Sequence, residues 1–163
     1  MSVGRVIRIG LFSLIGAFLL IQVIPYGRDH ANPPVTAEPA WDSPRTRELA
    51  VAACFDCHGN ETDWPWYTNI APVSWLSQRD VDQGREARNF SEWDRPQEAE
   101  DVGEAIREGG MPPWYYGITH SGARLSDAEK ARLIAGLEAT FLASPPIEGD
   151  GGQGEEDGGS GEG

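Results

Sequence analysis

Cys54-Phe55-Asp56-Cys57-His58 holds both cysteines of a 163-residue chain in one five-residue run and follows them at once with a histidine. That is the attachment pattern of a c-type haem. Two thiols three positions apart can each add to a vinyl group on one porphyrin edge, and the next imidazole then lies beneath the iron as proximal ligand. A redox dithiol would be expected beside a βαβ pattern, and a zinc site would need a second ligand pair. The chain offers neither: no other cysteine exists, and the remaining histidines, His30 and His120, lie far from the run. The pattern predicts one covalent haem c on Cys54 and Cys57 with His58 bound to the metal.

Outward from the motif, the two ends of the chain are different materials. Residues 9–24 (IGLFSLIGAFLLIQVI) are uncharged and strongly apolar, with Arg5 and Arg8 before them and Pro25-Tyr26-Gly27 after. Sixteen helical residues rise about 24 Å, and the flanking Val6, Ile7 and Arg8 extend that toward the roughly 30 Å of a bilayer core. The arginines place the N-terminus in the cytoplasm and the rest outside. This gives residues 1–27 as a single-pass anchor in a bacterial cytoplasmic membrane, with the haem domain in the periplasm. A cleaved signal peptide is the rival reading of the same stretch, although 24–29 contains no small-x-small cleavage site.

Residues 28–44 carry Pro33, Pro34, Pro39 and Pro44 and read as a semi-stiff spacer. Residues 144–163 begin Ser-Pro-Pro and continue as an acidic glycine-rich tail with too little apolar content to fold alone. The haem domain is then 45–143. The net charge of −13 argues against nucleic acid, whose phosphates call for a basic surface, and allows docking to a basic partner.

Within the domain, Ser43 caps a helix with Pro44 in its first turn, running into the haem motif. Residues 81–90 and 97–108 read as two more helices, the second closed by Gly109-Gly110. Ser126 and Glu129 form a capping box ahead of Leu133, Ile134, Leu137 and Phe141 at helical spacing. No strand pattern of useful length appears. The expectation is an all-α, small helical haem domain behind one N-terminal transmembrane helix.

The second face of the iron needs a ligand or stays open. Met111 is the one methionine after the initiator, and it lies in Gly109-Gly110-Met111-Pro112-Pro113, a loop whose glycines permit close approach and whose prolines stiffen the exit. Met/His ligation raises the potential of electron-transfer haems. His120 and His30 are the competing ligands. Trp64, Trp66, Tyr67 and Trp75 crowd behind the motif and are expected to wall the flat apolar ring.

The runs CFDCHGNETDWPWYTNIAPVSW, NFSEW, MPPWYY and HSGARLSDAEKARLIAGL together resemble the bacterial haem-binding domain family of small, often membrane-anchored mono-haem proteins. The likeness spans about residues 48–141. It implies a cytochrome-c-like helical fold, haem bound through Cys54 and Cys57, His58 as proximal ligand, and Met111 at the position of the family's Met-Pro-Pro motif.

No acid/base or nucleophile constellation suggests turnover of a substrate, so the expectation is a carrier and not an enzyme. It would move single electrons to and from a redox partner protein or a respiratory or photosynthetic membrane complex. A haem-based sensor or haem enzyme with an open distal site is one alternative, and a structural subunit of a membrane complex is another.

Overall fold

The computed structural model describes residues 2–98 and 101–148. Seven helices make up nearly all of the regular structure among these residues: α1 Val3–Ile21, α2 Pro44–Ala53, α3 Phe55–His58, α4 Val73–Ala87, α5 Val102–Arg107, α6 Tyr116–Thr119 and α7 Asp127–Ala143. The all-α expectation holds. Two short 3-10 turns, Trp66–Asn69 and Ser121–Ala123, interrupt the loops. One pair of two-residue strands, β1 Pro96–Gln97 and β2 Ile147–Glu148, lies parallel. Ile147 and Glu148, which the composition places in the tail, therefore pair with the domain, while 149–163 lie outside the described residues.

The helix ends follow local chemistry. The Ser43 hydroxyl accepts from the Thr46 amide at the start of α2, and Ser126 and Glu129 close a reciprocal capping box on α7. Each satisfies amides that the first turn of a helix leaves unpaired. Two boundaries differ from the sequence reading. The helix expected over 81–90 begins at Val73 and ends at Ala87, because Pro72 precedes the first turn and opens the helix instead of breaking it. The helix expected over 97–108 is only Val102–Arg107 among described residues, since Gln97 is spent in β1 and Asp101 supplies the cap to the Glu104 amide.

The core forms where α2, α5 and α7 meet, from Leu49, Ala50, Ile106, Leu133, Ile134 and Leu137. Each fully buried leucine or isoleucine contributes about 1.5–3 kcal/mol relative to exposure. Helices α2 and α7 cross so closely that a Cβ on Gly136 would collide with the side chain of Thr46. A second layer is aromatic: buried Phe90 lies between Phe55, Trp93 and Trp41, with ring centroids 5.7, 5.8 and 5.4 Å away.

The segment 28–44 is extended, as its prolines require, but it does not stand off as a spacer. Asn32 donates to the Thr62 carbonyl, Thr36 N–H to the Ser91 carbonyl, and Trp93 N–H to the Ala37 carbonyl. Trp41 then enters the aromatic layer. The segment is a strap on the domain, held by backbone pairing and one large apolar side chain that a sequence window cannot see together.

Helix α1 carries Arg5 and Arg8 in its first two turns and is apolar beyond them apart from Ser13; none of its residues is buried, and it is long and apolar enough to cross a membrane.

Candidate functional site

A cleft of about 400 Å³ opens between α3, α4, α5 and the loop 108–115, within the size range of cofactor sites. Cys54, Cys57, His58 and Met111 all line it. Four residues that the sequence singles out for one chemistry, separated by up to 57 positions, share one wall-to-wall space.

The motif is presented by a break between helices. Helix α2 ends at Ala53, Cys54 leaves helical geometry at φ −126°, and α3 restarts at Phe55, whose buried ring pins the turn in the aromatic layer. The next helix that matters is α4, which lies across the motif. Its Gly84 is what allows this, since a Cβ there would come within 2.5 Å of the Cys57 carbonyl oxygen. Positions 80, 83, 84 and 87 of α4 all face the cleft, the i, i+3, i+4, i+7 spacing of one helical stripe.

His58 is held from both sides. Its carbonyl accepts from the Phe90 amide at 2.8 Å, and its Nδ1 lies 2.9 Å from the Arg88 carbonyl oxygen. A carbonyl can only accept, so Nδ1 carries a proton, and in the neutral imidazole Nε2 then carries the lone pair. This is the arrangement by which proteins fix the tautomer and orientation of a metal-bound imidazole. The Arg88 carbonyl stays put because its own amide closes α4 on the Gly84 carbonyl at 2.9 Å; its guanidinium separately donates to the Glu98 carbonyl at 2.7 Å.

The loop that carries Met111 is fixed by its backbone. Gly109, at φ +78°, turns the chain out of α5, and the amides of Gly110 and Met111 both donate to the Ala105 carbonyl. Met111 lines the cleft and is 43% exposed. Pro112 and Pro113 continue the same wall.

Burial pushes the thiols of Cys54 and Cys57 up to about 12 each, so at neutral pH both are protonated. A redox dithiol is built the other way, with a thiolate stabilised by nearby positive charge. No disulfide joins the pair, and among the described residues no group of three His, Cys, Asp or Glu could hold a metal ion. Within that set a zinc site lacks its ligands, and the raised thiols run against a reactive dithiol. The donor set that remains is two thiols, an oriented imidazole and a thioether on a largely apolar cleft, which fits haem.

The aromatic expectation is corrected. Trp64, Trp66, Tyr67 and Trp75 do not line this cleft. Pro65 precedes the 3-10 turn Trp66–Asn69, and Trp64 and Tyr67 line a neighbouring hollow on the other side of Cys57. Trp64 stacks on His30 at 4.5 Å; Trp66 is mostly exposed and Trp75 sits on α4. The rings on the cleft are instead Phe90, Tyr115 and Tyr116. Aliphatic walls come from Val102 and Ile106 on α5, Leu133 on α7 and Leu125 in the loop before it, which read only as core until the helices are assembled. His120 is not on the cleft either. It stacks on Tyr116 and faces Asp56 at 3.6 Å, while His30 is occupied at Thr68.

Acidic partners set the two tyrosines. The Tyr116 hydroxyl donates to Asp56, inside the motif, and burial followed by that bond pushes its ionisation far up. Tyr115 donates to Asp80 at 2.9 Å, and burial followed by this bond raises it to about 12. Both are neutral hydrogen-bond donors that tie the 111–116 loop to the motif and to α4.

The sequence model of a family described as a haem-binding domain matches residues 16–139. The match starts inside α1 and so takes in the strap. No curated protein and no solved structure matches the chain.

Proposed function

The chain belongs to this haem-binding domain family, and from that premise we propose that it is a mono-haem c-type cytochrome that carries single electrons. The observation that supports the reading is the meeting of Cys54, Cys57, His58 and Met111 on one cleft, with the His58 tautomer set by the Arg88 carbonyl. Bound there, haem supplies the one-electron couple of its iron. Cys54 and Cys57 would hold it through two thioether bonds. His58 would ligate through Nε2, and the Nδ1–H bond strengthens that donor. Met111 would complete the coordination from the 109–113 loop, and a thioether there favours the reduced state relative to a second imidazole.

The rest of the proposal follows from the ends and the charge. Helix α1 tethers the protein to the cytoplasmic membrane with the haem domain in the periplasm. The net charge of −13 suits a basic docking face on a redox partner or on a respiratory or photosynthetic complex. No substrate is turned over, so the protein is a carrier and not an enzyme.

Met111 decides between a carrier and a haem that binds external ligands. The wild type is expected to be low-spin in both oxidation states and to resist carbon monoxide at neutral pH. Met111→Ala should lower the potential, open the site to carbon monoxide and give a high-spin ferric spectrum. A wild type that is high-spin and binds carbon monoxide, with Met111→Ala unchanged, would reject the carrier reading in favour of an open site.

A further inference from the structure

The strap begins where the apolar helix ends, and that junction is tightly built. The Gln22 side chain exchanges two hydrogen bonds with the backbone of buried Ala71, donating to its carbonyl at 2.9 Å and accepting from its amide at 3.0 Å. Arg28 donates to the Gln22 carbonyl at 2.8 Å. Gly27, at φ +78°, lies so close to the Ser74 carbonyl that any Cβ would collide with it. Tyr26 reaches Asp82 further along α4. One residue after α1, the chain is already fixed to the start of α4, and no free spacer remains to hold the domain away from the membrane.

Groups beside that junction must lie beside the lipid headgroups if α1 spans. Those groups are apolar and open. Val73 and Leu76, in the first turn of α4, are each 40% exposed; Trp66, in the 3-10 turn packed on α4, is 74% exposed, and Ile118 is 61% exposed. Val73, Leu76 and Ile118 border the same hollow together with Trp64 and Tyr67. Exposed contiguous apolar surface marks a contact, and tryptophan and tyrosine are enriched at the membrane–water boundary.

We propose that Trp66, Val73, Leu76 and Ile118 form a second membrane contact, which seats the haem domain in one orientation on the bilayer surface beside the exit of α1. The proposal rests on the reading of α1 as a membrane span. The occupant is the bilayer and not a second protein, because α1 brings the bilayer to this junction. The contact is apolar and aromatic, since a chain of net charge −13 gains nothing from anionic headgroups. Its consequence is functional: a seated domain presents its cleft at a fixed height and angle to partners in the same membrane.

The test places photoactivatable benzoylphenylalanine singly at positions 15, 66, 76 and 138 of the full-length holoprotein in phosphatidylcholine liposomes, and counts lipid adducts by mass spectrometry. Position 15 samples α1, and position 138 samples the exposed outer face of α7. Lipid adducts are expected at 15, 66 and 76, several-fold above 138, with yields at 66 and 76 unchanged by raising the salt. Adducts at 15 with positions 66 and 76 as low as 138 would leave α1 spanning and overturn the seat. Absence of adducts at 15 as well would overturn the span, and the seat with it.

Discussion

His58 Nδ1 and the carbonyl oxygen of Arg88 lie 2.9 Å apart, joining the last residue of the cysteine motif to the residue that closes α4. The bond uses a main-chain acceptor, so it survives any change of the Arg88 side chain. That side chain has separate work: it is buried, donates to the Glu98 carbonyl and lies 5.0 Å over the ring of Phe141. Arg88→Ala is therefore expected to lower stability by about 1–3 kcal/mol, as for loss of a buried hydrogen bond to a charged group, while keeping haem content and the His58 ligand signature. His58→Ala should lose the low-spin spectrum. Thermal melts and optical spectra of the two holoproteins separate the roles. Loss of the proximal signature in Arg88→Ala at intact fold would show that the carbonyl does not act alone.

Gly84 sets how closely α4 covers the motif. A methyl group there meets the Cys57 carbonyl at 2.5 Å, and a backbone oxygen cannot move without the cysteine. Gly84→Ala is expected to cost about 1–3 kcal/mol by overpacking and to lower the haem-to-protein ratio. Gly122→Ala, where nothing lies within 4 Å, should leave both unchanged. Equal melting temperatures for the two variants would contradict the close fit.

These two predictions show what kind of information the sequence carries. The Cys54–His58 run, the Ser43 cap and the Ser126–Glu129 box each depend on residues within five positions, and each is found where the sequence puts it. Met111, set between Gly-Gly and Pro-Pro, lines the same cleft as Cys54, Cys57 and His58. The cleft walls are not legible in the same way. Trp64, Trp66, Tyr67 and Trp75 are near the motif in sequence but do not line the cleft, Trp64 and Tyr67 facing the neighbouring hollow instead, whereas Phe90, Ile106 and Leu133 reach it only through tertiary packing. The packing of 28–44 is not legible for a related reason: proline-rich composition reports an extended backbone, not the partner against which that backbone lies.

Glu38 fastens the strap to α2. Its carboxylate accepts from Arg47 Nε and Nη2 and from Trp41 Nε1, all at 2.7 Å. The bonds from Arg47, opposed by burial and helped by Trp41, hold its ionisation below the ordinary 4.5. A depressed carboxylate stabilises the fold above its unfolded value and loses that contribution as pH falls through the folded one. The pair is partly exposed, Arg47 at 44% and Glu38 at 24%, so solvent screens it and Glu38→Gln should cost on the order of 1 kcal/mol at pH 7. The gap to wild type should narrow below pH 4.5 and close beneath the depressed folded value. A gap that persists unchanged in acid would assign the loss to packing instead of charge.

Covalent attachment through Cys54 and Cys57 is the claim on which the rest depends, and mass spectrometry under denaturing conditions measures it most directly. The intact chain, expressed with a periplasmic haem-attachment system and unfolded in acid, is expected to weigh one haem more than its sequence. Its peptide spanning 54–58 should carry that added mass, and Cys54→Ser with Cys57→Ser should lose it. An unmodified chain with two free thiols, and all haem released into the organic phase, would contradict a c-type site and leave only a haem held by its axial ligands.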